Sequence, residues 1–190
     1  MAIQINGNGT ITGISVGGLP DGIVDTDMIA ASAVTPAKST IVSSKILQYK
    51  VHNMVDQEQI TGTTPTQIPN FAVTITPTAS TSTMIVKASC FYSNNNNVIM
   101  SRIYNGTNFL ISPSSFPSPN NQNGSSSCYT AGQYMMQQNF MAYETAGNTN
   151  ARTYSVYWNI TGNGTGYINK WHGYAGYHSV STLEVLEVAA

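Results

Sequence analysis

The chain has 190 residues, a net charge of −1, 8% charged residues and 41% hydrophobic residues. Ordinary domains carry roughly 25% charged residues, so Ser, Thr, Asn, Gln and Gly here make a polar surface with little charge on it. Seven basic residues are too few for a phosphate-backbone footprint, and no apolar run approaches the roughly 20 residues of a membrane helix, so neither nucleic acid binding nor membrane insertion is expected.

Residues 1–18, MAIQINGNGTITGISVGG, alternate apolar and polar positions with Gly and Asn at the breaks, which predicts one or two short strands around a tight turn. The start has neither the basic nor the apolar region of a secretory signal, so production in a cytoplasm is expected. LPDGIV at 19–24 is a turn, because Pro20 presets φ and Gly22 accepts a positive one. Asp25 is placed to cap a short helix from Met28 to Ala33, and Thr35-Pro36 to start a second helical turn. The apolar residues of this stretch (Ile3, Ile5, Ile11, Ile14, Val16, Leu19 and Ile29) cannot bury one another in so short a segment. Residues 1–44 therefore read as an anchoring and oligomerisation arm.

From Lys45 onward the chain is a series of β-branched and aromatic runs separated by turn residues. KILQYKVHNMV, QEQITGTTPTQIPNFAVTITPT, TMIVKASCFYS, NVIMSRIYNGTNFLI, ARTYSVYWNIT, TGYINKWHGY and STLEVLEVA each read as strands. GQYMMQQNFMAYE reads as a strand or, by propensity, a helix, since its apolar positions fit neither period. About eight strands at this spacing predict an antiparallel β-sandwich over 45–190, a jelly roll. The stretch 112–127, SPSSFPSPNNQNGSSS, is a long polar loop, a length that usually marks function or disorder.

Most motif candidates dissolve on inspection. Gly7, Gly9 and Gly13 have the wrong spacing for a dinucleotide fingerprint and no βαβ context. A calcium loop starting at Asp25 would need Gly and Glu where Ala30 and Pro36 stand. Between Gln59 and Leu183 the only carboxylate is Glu144, so a two-carboxylate glycosidase is poorly supplied, and nothing resembles a nucleophile elbow around His172 or His178. Those histidines are expected to pack or hydrogen-bond rather than to hold a metal. Cys90 and Cys128 have no metal-ligand spacing and read as reduced, buried small hydrophobes. No catalytic residue, metal or cofactor is expected, and an enzyme is disfavoured. The richest aromatic cluster, Trp171, Tyr174 and Tyr177 interleaved with Gly173 and Gly176, fits either the core and rim of a sandwich or a surface for protein or glycan contact.

Two segments carry a resemblance. INGNGTITGISVGGLPDGIVDTDMIAASAVTPAKST resembles the N-terminal segment of bacteriophage tail-fibre-like and virion-surface proteins, especially those of cyanophages and marine phages. SVSTLEVLEVAA is similar to the closing strand of their β-sandwich domains, and TPTQIPNFAVTITPTASTSTMIVKASCFY is alike in pattern. The resemblance implies a homotrimeric structural protein on the outer surface of a virion, made in the cytoplasm of a host bacterium, with no catalytic chemistry. The chain lacks a fibre shaft, having no heptads, collagen-like repeat or β-helix period. An arm of 44 residues spans at most roughly 150 Å when fully extended, which suits a knob held close to a surface. Two roles stay open: a capsid decoration (cement) protein bound to the major capsid protein, or a short tail fibre, attached to tail proteins, that recognises a host surface glycan.

Overall fold

The computed structural model describes residues 4–5, 11–12, 45–95, 97–110, 126–129 and 134–190. The chain divides into two compact units, Met1–Ser43 and Ser44–Ala190. In the first, β1 (Gln4–Ile5) pairs antiparallel with β2 (Ile11–Thr12), setting Ile5 opposite Ile11, as the alternation of residues 1–18 suggested. The two expected helical turns, and Ile3, Ile14, Val16, Leu19 and Ile29, lie outside the described residues.

The second unit is all β among its described residues, with every strand pair antiparallel. Its first sheet is built on β6 (Thr83–Asn94), the longest strand. Along one flank of β6 runs β10 (Met136–Thr145); along the other lie β15 (Ser181–Val188), opposite Thr83–Ser89, and then β12 (Gly166–Ile168), opposite Tyr92–Asn94. Beyond them, β3 (Ile46–Met54) pairs with β15 and β4 (Glu58–Ile60) with β12. In the second sheet, β11 (Arg152–Ile160) lies between β5 (Thr66–Ile75) and β7 (Val98–Tyr104), while β8 (Phe109–Leu110) and β9 (Ser126–Tyr129) share the far side of β7.

Period-2 alternation puts one side of each sheet into a common core, a sandwich-like arrangement. Met84, Val86, Ala88, Cys90 and Tyr92 point inward from β6, and Tyr154, Val156, Trp158 and Ile160 from β11. The faces interlock through the Tyr92 and Trp158 rings, stacked at 5.9 Å, and through the Ser101 hydroxyl, which donates to Tyr92 Oη at 2.9 Å. Both polar groups of that buried contact are thereby satisfied. Cys90 is a free, fully buried thiol whose pKa burial pushes up to about 12, so it is inert, as expected for a small hydrophobe.

Three local expectations need correction. The stretch 57–78 is two strands: β4 belongs to the first sheet and β5 to the second, so the chain crosses between sheets at 61–65. Ser126 and Ser127, assigned to the polar loop, begin β9, because β7 offers a ladder for them to join. The ambiguous segment GQYMMQQNFMAYE (132–144) holds strand β10 from Met136 onward: Gln138, Phe140 and Ala142 face the core while Asn139, Met141 and Tyr143 face out. Its apolar pattern was unreadable because both of its faces carry apolar residues. Within β5, Pro69 and Asn70 (φ 58°) sit between the inward Ile68 and Phe71, which breaks the two-residue period on that strand.

Candidate functional site

The aromatic residues of 171–177 stand on a hairpin, β13 (Lys170–Trp171) with β14 (Tyr174–His178). Asn169 launches it. This residue adopts φ 56°, which Asn tolerates better than most side chains, and its side chain is fully buried. Its Nδ2 donates to the carbonyls of Met54 (2.8 Å) and Asp56 (3.1 Å), its Oδ1 accepts from the Ser181 hydroxyl (2.6 Å), and its amide donates to Phe91 O (2.9 Å). One side chain thus ties the hairpin base to the ends of β3 and β15 and, through its backbone, to β6. Gly173, at φ 88°, makes the turn.

Above that base the rings gather around Trp171. Tyr174 stacks on it at 5.1 Å, Tyr177 meets it edge-on at 4.8 Å, and Tyr134, just before β10, stacks at 6.2 Å. Tyr134, Tyr174 and Tyr177 are 65%, 60% and 56% exposed, so the cluster is a surface feature and not part of the core. Trp171 Nε1 is buried and has no hydrogen-bond partner, and the same holds for His172 Nδ1. The Lys170 ammonium lies over the Tyr167 ring at 4.9 Å, and His172 packs edge-on to the same ring at 5.4 Å. His178 Nδ1 is 2.7 Å from Gln57 Nε2. Both histidines therefore pack or hydrogen-bond, as the sequence suggested. A shallow hollow of about 150 Å³ beside the hairpin is lined by Gln57, Glu58, Gln59, Tyr167 and Lys170.

Glu144, the one carboxylate of the central chain, is fully engaged. Its oxygens accept from Asn105 Nδ2 (2.7 Å) and Tyr154 Oη (2.7 Å), and Arg152 Nη1 lies 3.3 Å away. Arg152 also donates to the Ala146 and Asn148 carbonyls, bracing the turn that Gly147 makes at φ 69°. Burial and, after it, the neighbouring Glu144 raise the Tyr154 pKa well above the usual phenol value. With each Glu144 oxygen accepting from a side-chain donor, this group braces the β10–β11 connection at the wall of a hollow of about 510 Å³ that Asn105, Asn148 and Arg152 also line.

The outward side of the first sheet carries a third feature. Tyr49, Leu186, Ile85 and Tyr143 stand side by side in one register row across β3, β15, β6 and β10. The next row along is Val51, Glu184, Lys87 and Met141, and the one on the other side begins with Ile46 and Val188. Ile46, Tyr49, Val51, Met141 and Tyr143 are all between 49% and 67% exposed.

Of the residues singled out from the sequence, Trp171, Tyr174 and Tyr177 come together, and Ile5 faces Ile11 in the arm hairpin. Sequence reading missed Tyr134, Asn169, Glu187 and the outward apolar rows. Asn169, between an Ile and a Lys that both read as strand, left a faint signal, since Asn is enriched at positive φ. The rows left none, because they join strands far apart in the chain. Glu187, within the strand STLEVLEVA, is fully buried and accepts from Gln48 Nε2 (2.7 Å), Thr78 Oγ1 (2.8 Å) and the Thr78 amide (2.6 Å).

No family model and no curated protein matches the chain. Among solved structures, it is similar to a mutant VP2 protein of infectious bursal disease virus, determined as derived T=1 particles, at 14% identity and a TM-score of 0.33. The match covers 76% of this chain and 37% of that one, so the chain spans well under half of the viral protein's length. A likeness of that size carries no argument about function.

Proposed function

We propose that the chain is a structural protein of the exterior of a tailed-phage virion, a homotrimeric capsid decoration protein whose arm anchors it and whose β-sandwich projects. The observation that carries this reading is the exposed apolar register on the outward side of the first sheet. A contiguous apolar row on a protein surface marks an interaction site; Tyr49, Leu186, Ile85 and Tyr143 form one, next to a row whose middle is Glu184 and Lys87, and it begins on β3, the strand that comes after the arm in sequence. Burying an Ile or Leu of such a row contributes about 1.5–3 kcal/mol before ordering costs, so association here would rest on apolar contact and not on ion pairs. The chain also passes repeatedly between the sheets: β3, β15, β6 and β10 lie in one, β5, β11, β7 and β8/β9 in the other. That order is the one a jelly roll produces, a fold common in viral shells. The resemblance of both chain ends to phage virion-surface proteins supports the same reading, as does the low charge.

The reading includes no enzymatic role: Glu144, the one carboxylate between Gln59 and Leu183, serves there as a brace bonded to Asn105, Tyr154 and Arg152. Gold-labelled antibody against the protein, applied to intact particles, tests the assignment. Label distributed over the head supports a decoration protein. Label at the tail replaces it with a short tail fibre, and particles without label remove the virion reading altogether.

A further inference from the structure

We infer that the β13–β14 hairpin is a carbohydrate-binding platform for neutral hexopyranose chains. The inference stands on the hairpin alone and holds whether the protein sits on a head, a tail or elsewhere.

Four rings meet there, and three of them are more than half exposed although they are large and apolar. Tyr134 and Tyr174 lie near-parallel to Trp171, at 20° and 26°, while Tyr177 stands across Trp171 at 66° and across Tyr174 at 73°. The result is a stack centred on Trp171, with Tyr177 set across it, and the ring surface open to solvent is that of the three tyrosines. A pyranose has an apolar face of axial C–H groups and a rim of hydroxyls. Its face packs on an aromatic floor, and its rim meets hydrogen-bonding groups at the edges.

The polar groups of the site suit that ligand. Each tyrosine carries a hydroxyl that both donates and accepts, and Gln57 and Gln59 line the hollow beside the hairpin with amides. Trp171 Nε1 and His172 Nδ1, both without a partner, lie in the same hairpin, where a small shift of the side chains would bring an acceptor of a hydroxyl-rich ligand to the indole N–H. Formal charges near the site are few: Lys170, the only formally charged residue of β13–β14, has its ammonium turned onto Tyr167, and Glu58 in the lining of the hollow disfavours anionic polymers.

The hairpin is also built to stay in place when empty. Asn169 pins its base with side-chain bonds to two carbonyls and a hydroxyl, so little ordering remains to be done on binding. An added Cβ at Gly176 would meet nothing within 4 Å, so the backbone there stands clear of other groups, while Tyr174 and Tyr177 meet edge-on at 6.2 Å.

The test uses full-length protein and tryptophan emission. Trp158 is 1% exposed in the core, so a ligand at the hairpin is reported by Trp171. The probes are maltohexaose, cellohexaose, chitohexaose and mannohexaose, with oligogalacturonate as the anionic comparator. At least one neutral chain should shift the emission saturably in the millimolar range, with a Kd that is the same in about 0.05 M and about 0.5 M NaCl. Tyr174→Ala and Tyr177→Ala should each weaken that binding about tenfold and leave the circular dichroism melt unchanged. Tyr129→Ala, which removes an exposed ring on β9, should leave it as it was. The inference is overturned if none of the neutral chains shifts the emission at about 10 mM, if only the anionic comparator binds, or if binding survives loss of both tyrosines.

Discussion

On the outward side of β7 and β11, Met100, Arg102, Ser155 and Asn159 are each less than a tenth exposed, whereas on the outward side of the first sheet Tyr49, Val51, Met141 and Tyr143 are 49–67% exposed. The covered side is also chemically closed. Arg102 Nη1 donates to Asn159 Oδ1 at 2.5 Å, its guanidinium lies 5.8 Å from the Phe109 centroid, and Phe109 packs with Tyr104 and Tyr157 at 5.2 Å. The two sheets share one core but differ in what lies behind them. Arg102 and Asn159 on the second sheet are paired with each other, so that part of its surface is structural. Apolar groups on the first are left in water, a cost the fold bears and association would remove.

The strongest way to break this contrast is to separate the arm from the sandwich. A protein of residues 45–190 keeps its own core and should remain β-rich by circular dichroism, yet fail to rebind particles lacking the protein. The full chain should rebind, and moderate salt should not displace it. Equal rebinding by the truncated form would reverse the roles of arm and sandwich. A narrower test is Tyr49→Asp with Tyr143→Asp on the bare rows. Self-association in light scattering should fall about 100-fold while the melting temperature holds, because the replaced rings are already in water in the free chain.

On the closed surface the signs invert. Arg102→Ala should cost about 2–3 kcal/mol in denaturant unfolding, leaving Asn159 Oδ1 unpaired and Phe109 without its cation, with no effect on association. Glu187 offers a pH readout from within the first sheet. Burial raises its pKa, but the hydrogen bonds from Thr78 and Gln48 outweigh burial and hold it below the ordinary carboxylate range. A lowered folded-state pKa contributes stability that is complete above the unfolded value of about 4.3 and is lost as the pH falls through the folded one. Stability should therefore drop on acidification below about pH 4, and Glu187→Gln should flatten that drop. The smallest effect is expected at Glu144→Gln: about 1 kcal/mol of stability, through the weakened Arg152 pair, with particle integrity unchanged. Loss of polysaccharide cleavage in that variant would falsify the non-enzymatic reading.

Much of the strand content was legible from β-branched and aromatic runs between turn residues: KILQYKVHNMV and STLEVLEVA became β3 and β15, although β3 turns Tyr49 and Val51 to solvent and β15 buries Glu187. The signal failed at β10, where Met141 and Tyr143 face out and Gln138 faces in, and at β9, whose Ser-rich sequence has no strand propensity of its own. The aromatic cluster was half legible. Trp171, Tyr174 and Tyr177 are near neighbours in sequence, so their proximity comes from a single hairpin, while Tyr134 reaches Trp171 only because the fold brings the start of β10 beside it.

By itself the sequence determined a β-rich chain with few charges, an arm of different character from the strand-rich remainder of the chain, and an aromatic cluster punctuated by glycines, since each of these depends on residue type and short spacing. Tertiary structure alone decided which side of each strand is wet. It set Tyr49, Ile85, Tyr143 and Leu186 in one row, buried Glu187 against Thr78 and Gln48, and made Asn169 the pin of the hairpin. The reason is register: a one-residue slip between distant strands would turn every one of those side chains to the opposite face, and the register is held by the packing of the whole core.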